Sequence, residues 1–363
     1  MKKITRVSFR WHRYFGLFFG ILYLFFGLSG ALLVFKKEIE KMGSSRTYCG
    51  MTKTHTPSLD EMYRKVFRAY PQARQFMLGT SLKDACEAYE FTVFTYQREV
   101  AESYLYCCVL DSHTGEVLRE GNFNSWGAPF FRWLYSAHYS LLMDKPGRLI
   151  TAVVALAFFL NLVTGVIIYR KKFFSVLCFK EKINRKSPQA FYSSLHRLVG
   201  VWTLAFNFIL FFTGFWMNKG LFLPQEWALP PRVSQGMLVG ANIDGVVQDA
   251  LAIPGFSPIA VRIPSEPGKA LVVSGQFSDT VNPLYWGKGS EVYYDGATGR
   301  RLKIIRIEQK PFSERFYWMM KQLHRGDYES LWIKGLYVFA GLSPAFLSLT
   351  GFYLWKKKRA YKR

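Results

Sequence analysis

The chain has 363 residues, 50% of them hydrophobic and 18% aromatic, and its 48 Lys and Arg against 25 Asp and Glu give a formal net charge of +23. So basic a soluble protein would point to nucleic acid. Here the cations cluster beside four long uncharged apolar runs, the pattern of a multi-pass membrane protein, and no nucleic acid partner is expected.

Residues 1–13 are a short basic arm. The uncharged run 14–35 is long enough to cross a hydrocarbon core of about 30 Å as a helix. It is too long, and too poor in small residues at its end, for a signal peptide that is removed. After a polar stretch at 43–57, Leu59, Met62, Val66 and Phe67 recur at helical spacing, and Ser58 with Glu61 makes a capping box. Pro71 stops that helix. Runs 89–96, 103–110 and 116–118 read as strands around the turn Asp111-Ser-His-Thr-Gly115. Residues 126–143 are aromatic-rich and contain His138, and the second apolar run spans 149–169. A basic link leads to His196-Arg197 and the third run, 198–218. The second outer segment opens on Pro224, Pro230 and Pro231. It shows helical spacing at 242–251, strand signals at 259–263, 270–275, 291–294 and 300–307, and a turn at 295–299. Residues 312–325 contain His324, the fourth run spans 335–355, and a basic tail follows.

The arm, the link and the tail are all basic, so the positive-inside rule puts both termini in the cytoplasm and segments of roughly 37–146 and 219–334 outside. The fold expected is a polytopic α-helical membrane protein with four transmembrane helices and two outer α+β domains. Its parts are an arm and first span (1–38), an outer domain (39–127), a His-bearing segment and second span (128–172), a cytoplasmic loop (173–190), the third span (191–218), a second outer domain (219–311), a His-bearing segment and fourth span (312–356) and a tail (357–363). Cys178 lies in the link. Cys49, Cys86, Cys107 and Cys108 lie outside, where disulfides persist; a Cys49–Cys86 bridge is left open. No C-x-x-C-H occurs, so c-type haem attachment is not indicated. No G-x-G-x-x-G follows a strand and there is no P-loop, so no nicotinamide, flavin or ATP site is recognisable.

The chain repeats itself. His12 maps to His196 and Asp111 to Asp295 at an offset of 184 residues, and His138 maps to His324 at 186. Gly30 and Gly214 each follow the histidine of their own span by 18 residues, and Gly165 and Gly351 follow theirs by 27. A Ser or Thr precedes each of these glycines. This is a tandem, parallel duplication.

Four of the six histidines therefore hold matched places, His12 and His196 on the inner face and His138 and His324 on the outer. Two bis-histidine haems b would need that arrangement, with imidazoles as axial ligands from facing helices. Aromatic walls near His196 (Tyr192, Trp202, Phe206) and His138 (Trp133, Tyr135, Tyr139) suit a porphyrin face. Arg13 and Arg197 follow their histidines and are placed to pair with propionates. Zinc is the rival ion, disfavoured because no Cys, Asp or Glu clusters near these histidines. His55 and His113 lack this context. Mid-span Asn161 and Asn207 read as hydrogen-bonding between helices, and no charged residue sits mid-span, so no ion pathway is suggested. Haems at opposite interfaces would leave a long gap, for an aromatic side chain or a further cofactor to bridge.

The phrases RWHRYFGLFFGILYLFFGLSGALLVF, YSAHYSLL, SLHRLVGVW and KQLHRGDYESLWIKGLY, with the two Asp-x-x-Thr-Gly turns, resemble the PepSY-associated transmembrane family over nearly the whole chain. That family includes inner-membrane iron-regulated proteins and ferric siderophore reductases of Gram-negative bacteria. The resemblance implies periplasmic PepSY-like domains and a multi-pass place in the bacterial inner membrane, in contact with its lipid. It implies two haems b on His12, His138, His196 and His324, and a haem-dependent ferric-chelate reductase. Electrons would pass from a cytoplasmic or quinol donor to a periplasmic ferric siderophore, releasing Fe(II), with no residue needed as acid, base or nucleophile. Tyr139 departs from the His-Arg pattern and puts a propionate contact there in doubt. Two other readings stand: a non-redox membrane protein whose PepSY-like domains bind peptides or inhibit a protease, and a quinol-linked cytochrome with another acceptor.

Overall fold

The computed structural model describes residues 3–40, 42, 57–79, 88–96, 103–125, 129–228, 236–328 and 330–360. Cys49, Cys86, His55, Trp126, Pro230 and Pro231 lie outside the described residues. In chain order the main elements are α1 (Lys3–Phe18), α2 (Gly20–Val34), α3 (Leu59–Ala69), β1 (Gln75–Gly79), β2 (Tyr89–Tyr96), β3 (Ser103–Leu110), β4 (Val117–Asn122), α4 (Phe130–Ser140), α5 (Asp144–Tyr169), α6 (Phe173–Leu177), α7 (Pro188–Trp202), α8 (Leu204–Asn218), α9 (Ile243–Leu251), β5 (Phe256–Pro264), β6 (Leu271–Phe277), β7 (Ser290–Tyr294), β8 (Arg301–Ile305), α10 (Phe312–Arg325) and α11 (Leu331–Ala360).

Helices α5 and α11 are each long and apolar enough to cross a membrane alone. The other two apolar runs are not straight helices. The basic arm is already helical in α1, and the axis turns by 63° between α1 and α2. An equal bend of 63° separates α7 from α8. The breaks fall at Phe19 and Thr203, with backbone angles of φ −95°, ψ 0° and φ −93°, ψ 2°. These sites are again 184 residues apart. At Thr203 the hydroxyl donates to Val199 O at 2.7 Å and accepts from Asn207 Nδ2 at 3.0 Å, so side chains enter the backbone ladder at the bend. Asn207 also donates to Ser343 Oγ of α11 at 2.8 Å, an interhelical bond. Apolar composition alone carries no sign of such a bend. Helix α1 packs on α5, α2 on α11, α8 on α5 and α7 on α11. Close approach of α2 to α11 rests on Gly27, where a Cβ would lie 2.8 Å from Gly341 O.

The eight strands form one antiparallel sheet in the order β4-β3-β2-β1-β5-β6-β7-β8. Each repeat supplies a four-stranded meander, and the two meanders join through β1 and β5, with Phe76 opposite Ile263 and Leu78 opposite Val261. The sequence reads as two outer domains; the two units share a single sheet. Joining them pairs what would otherwise be two exposed strand edges. Helices α3 and α9 carry the core, with Met62, Tyr63, Val66, Ile243 and Val246 packed onto Phe76, Phe91, Val261 and Val273. The capping box at Ser58 and Glu61 is present. The helix N-termini also cap one another: Leu59 N and Asp60 N donate to the Asp244 carboxylate at 2.9 and 3.0 Å, and Ile243 N donates to Asp60 Oδ1 at 3.3 Å. Carboxylates at helix N-termini meet unpaired N–H groups and the positive end of the helix dipole. Asp60 and Asp244 are themselves 184 residues apart.

Candidate functional site: two facing histidine pairs

Helices α4 and α10 bring His138 and His324 down onto the outer ends of the apolar helices. Each ends on a left-handed residue, Leu141 and Gly326. After α4 the chain turns sharply into α5. Gly147 permits this, since a Cβ there would overlap Ser140 O. His12 lies on α1 and His196 on α7.

The structure brings the four histidines together as two pairs. The His12 and His196 ring centres are 6.3 Å apart, at 83° between planes. Those of His138 and His324 are 6.2 Å apart, at 47°. Neither pair is formed within one repeat; each takes one ring from each copy. All four rings are half-buried.

Each ring is braced by the Ser/Thr-Gly pair of another helix in its own repeat. Ser29 Oγ lies 2.8 Å from His138 Nδ1 and Thr350 Oγ1 2.8 Å from His196 Nδ1. Thr213 Oγ1 and Leu210 O lie 3.0 and 2.9 Å from His324 Nδ1. Asn161 O and Thr164 Oγ1 lie 3.0 and 3.3 Å from His12 Nδ1. These contacts fix the tautomers. A carbonyl only accepts, so Nδ1 of His12 and of His324 must carry the proton. The hydroxyls of Ser29, Thr213 and Thr350 spend their hydrogens on Phe25 O, Ile209 O and Phe346 O, at 2.7, 2.6 and 2.8 Å. They are left as acceptors too, so His138 and His196 also donate from Nδ1. All four Nε2 atoms therefore keep a free lone pair, the state a metal-binding imidazole requires.

The glycines explain the close approach. A Cβ on Gly30 would lie 3.1 Å from His138 Cε1, one on Gly214 3.2 Å from His324 Cε1, one on Gly165 3.3 Å from His12 Cε1 and one on Gly351 3.6 Å from His196 Cε1. The 18-residue spacing of the sequence thus connects the inner histidine of a span to the brace of the outer pair.

Arg13 and Arg197 are exposed. Arg13 sits over the Tyr14 ring at 5.4 Å, while Arg197 donates to Ser193 O at 3.0 Å and lies over Tyr169 at 5.4 Å. The aromatic walls differ from expectation. Tyr192 packs on Tyr353, Trp202 on Phe179 and Phe206 on Tyr337. Tyr135 and Tyr139 pack on each other and Trp133 on Phe130, while Phe26 meets His138 edge-on at 5.6 Å. His113 lies in its turn, where its N–H donates to Asp111.

Aromatic rings fill the space between the pairs. Phe158 stacks on Phe211 at 3.7 Å, Tyr23 meets Phe158 at 4.7 Å, and Phe19 stacks on Tyr23 at 6.2 Å. Phe211 adjoins Leu210, whose carbonyl holds His324.

The family described as "PepSY-associated TM region" matches residues 9–358. A Pseudomonas aeruginosa protein designated PA4219, described as uncharacterised, is 25% identical over 265 residues. The alignment covers 64% of this chain and 64% of that protein, so the chain spans just under two thirds of its relative's length.

Proposed function

The chain belongs to the PepSY-associated transmembrane family, and we propose that it is a di-haem b reductase of the bacterial inner membrane. In this reading the two long helices and the two bent helix pairs make four spans with both termini cytoplasmic. The sheet stands in the periplasm as two joined PepSY-like halves.

The paired rings carry the proposal. Two imidazoles on opposite sides of one metal ion, each bonded at about 2.0 Å with a further ~1.1 Å from nitrogen to ring centre, would have centres ~6.3 Å apart. The observed 6.3 and 6.2 Å match that spacing. Aromatic side chains in plain contact also reach such distances. What favours ligation is that all four Nδ1–H groups are committed elsewhere, leaving every Nε2 lone pair free. Among the described residues, no group of three His, Cys, Asp or Glu is placed to hold a metal ion. A tetrahedral ion would lack half its protein ligands, whereas a porphyrin brings four nitrogens of its own.

Haem, when bound, supplies a one-electron couple. The chain's part is to hold and orient the four imidazoles, keep water from the inner helices, and fill the path between pairs with packed rings. The reaction is the gain of one electron by a chelated Fe(III). Fe(II) is a softer ion and leaves hard oxygen chelators readily. No side chain need act as acid, base or nucleophile, and the acceptor is a periplasmic ferric siderophore.

A dithionite-reduced spectrum of the purified protein should show a b-type band. Half of it should vanish in His138→Ala and in His324→Ala. Colourless wild-type protein, or an unaltered band in both variants, would refute the reading.

A further inference from the structure

Directly above the outer pair, five cations converge from separate elements. Lys36 and Lys37 follow α2. Arg132 stands on α4 two turns before His138, Arg325 follows His324, and Lys288 precedes β7. The acids among them do not balance this charge. Arg132 is matched by Glu90 at 2.6 Å. Lys37 and Arg325 share Asp327, at 2.7 and 2.9 Å. Lys36 has Glu40 at 3.9 Å. Lys288 has no ion pair among the described residues, and its Nζ lies 3.8 Å from where a Cβ on Gly79 would stand, at the end of β1. It is half-buried, as is Lys36.

We propose that this cluster is a binding site for a negatively charged ferric chelate, held by Lys288, Lys36, Lys37 and Arg325 between the sheet and the outer histidine pair. The proposal rests on the reductase reading and adds the charge class of its substrate. Its geometry suits the task. The cations sit on the elements that carry His138 and His324, so an anion held there lies beside the outer electron donor. The site is short of counter-charge. Burial pushes the Lys288 ammonium down to about 8, reinforced by Arg325, Arg132 and Lys37 and opposed by Glu90. Burial does the same to Lys36, also to about 8, with Arg132 and Arg325 against Glu40 and Glu90. Desolvated cations without partners gain most from an incoming anion.

The test compares Lys288→Gln/Lys36→Gln with wild type and with Lys288→Arg, using anionic ferric EDTA and cationic ferrioxamine B as acceptors. The KM for ferric EDTA should rise about tenfold or more in the double variant, with kcat held. Ferrioxamine B should be reduced as well as before or better, and Lys288→Arg should behave as wild type. Equal change for both chelates, or none, overturns the proposal. So does a shift of haem content or midpoint potential in the double variant, since the lysines would then serve the cofactor's own propionates. Binding of redox-inert gallium(III)–EDTA separates the two readings. If the wild type reduces neither chelate yet binds the gallium complex through these lysines, the anion site stands and the reductase reading fails. If the wild type reduces chelates but its affinity for the gallium complex is the same as the double variant's, the anion site fails alone.

Discussion

The four imidazole braces are not equivalent, and the difference can be measured. His196 relies on a single acceptor, Thr350 Oγ1 at 2.8 Å. His324 has two, Thr213 Oγ1 and the backbone carbonyl of Leu210. Thr→Val preserves shape and removes only the hydroxyl. In Thr350→Val, the Nδ1–H of His196 is left without its acceptor beside a buried site; an unmet buried donor costs about 1–3 kcal/mol. Divided by about 1.4 kcal/mol per decade, that is roughly 5- to 150-fold in affinity for whatever His196 ligates, in line with the 10–100-fold typical of lost supporting bonds around metal-ligating histidines. Thr213→Val leaves Leu210 O in place, so its cost should stay near 0.5 kcal/mol, about two- to threefold. The assay is haem retention against an excess of a haem-scavenging apoprotein, followed in the visible spectrum. Loss should be fast in Thr350→Val and near wild type in Thr213→Val. Equal rates in both would mean that the hydroxyls do not set the imidazole tautomers.

Three further expectations follow from the structure. Gly30→Ala and Gly214→Ala place a methyl at 3.1 and 3.2 Å from a histidine ring and should perturb the outer pair's spectrum, whereas Gly351→Ala, at 3.6 Å, should be tolerated. Asp244→Ala uncaps α3 and should lower the stability of the sheet by about 1–2 kcal/mol in denaturant titrations read by tryptophan fluorescence, with Asp244→Asn recovering part of it. Cys178 is exposed, while Cys107 and Cys108 are buried and the Cys108 thiol is pushed up to about 11 by burial, then by Glu120. With Cys49 and Cys86 replaced by Ser, an impermeant maleimide should therefore label intact spheroplasts poorly and inverted vesicles well, the reverse pattern refuting a cytoplasmic link.

What the sequence made legible was whatever repeats locally. The capping box at Ser58, the strands 89–96 and 103–110 and the paired histidines all announce themselves through short-range pattern. The Ser/Thr-Gly pairs stood out by their period, yet their role did not, because each braces a histidine on a different helix; Thr164 meets His12 from 152 residues away. The single sheet was hidden for a similar reason. Strand β1 has only five residues, and its partner β5 belongs to the other repeat, a long-range pairing that alternation in a short run cannot specify. The bends at Phe19 and Thr203 left no trace because an uncharged apolar run looks the same straight or broken.

Duplication acquires a physical meaning from the bracing. Each repeat orients its own two histidines, one for each face, but completes neither pair. Removing two histidines should thus have consequences that depend on which two. His12→Ala/His196→Ala empties the inner face and leaves the outer pair intact, so half of the bis-histidine signal should remain. His12→Ala/His138→Ala takes one ring from each face and should abolish the bis-histidine signal at both, though it removes the same number of ligands. Low-temperature electron paramagnetic resonance distinguishes bis-histidine from singly ligated ferric haem and reads the difference directly. If the two double variants gave the same spectrum, the pairing across repeats would be wrong, and with it the reason for one chain to carry the unit twice.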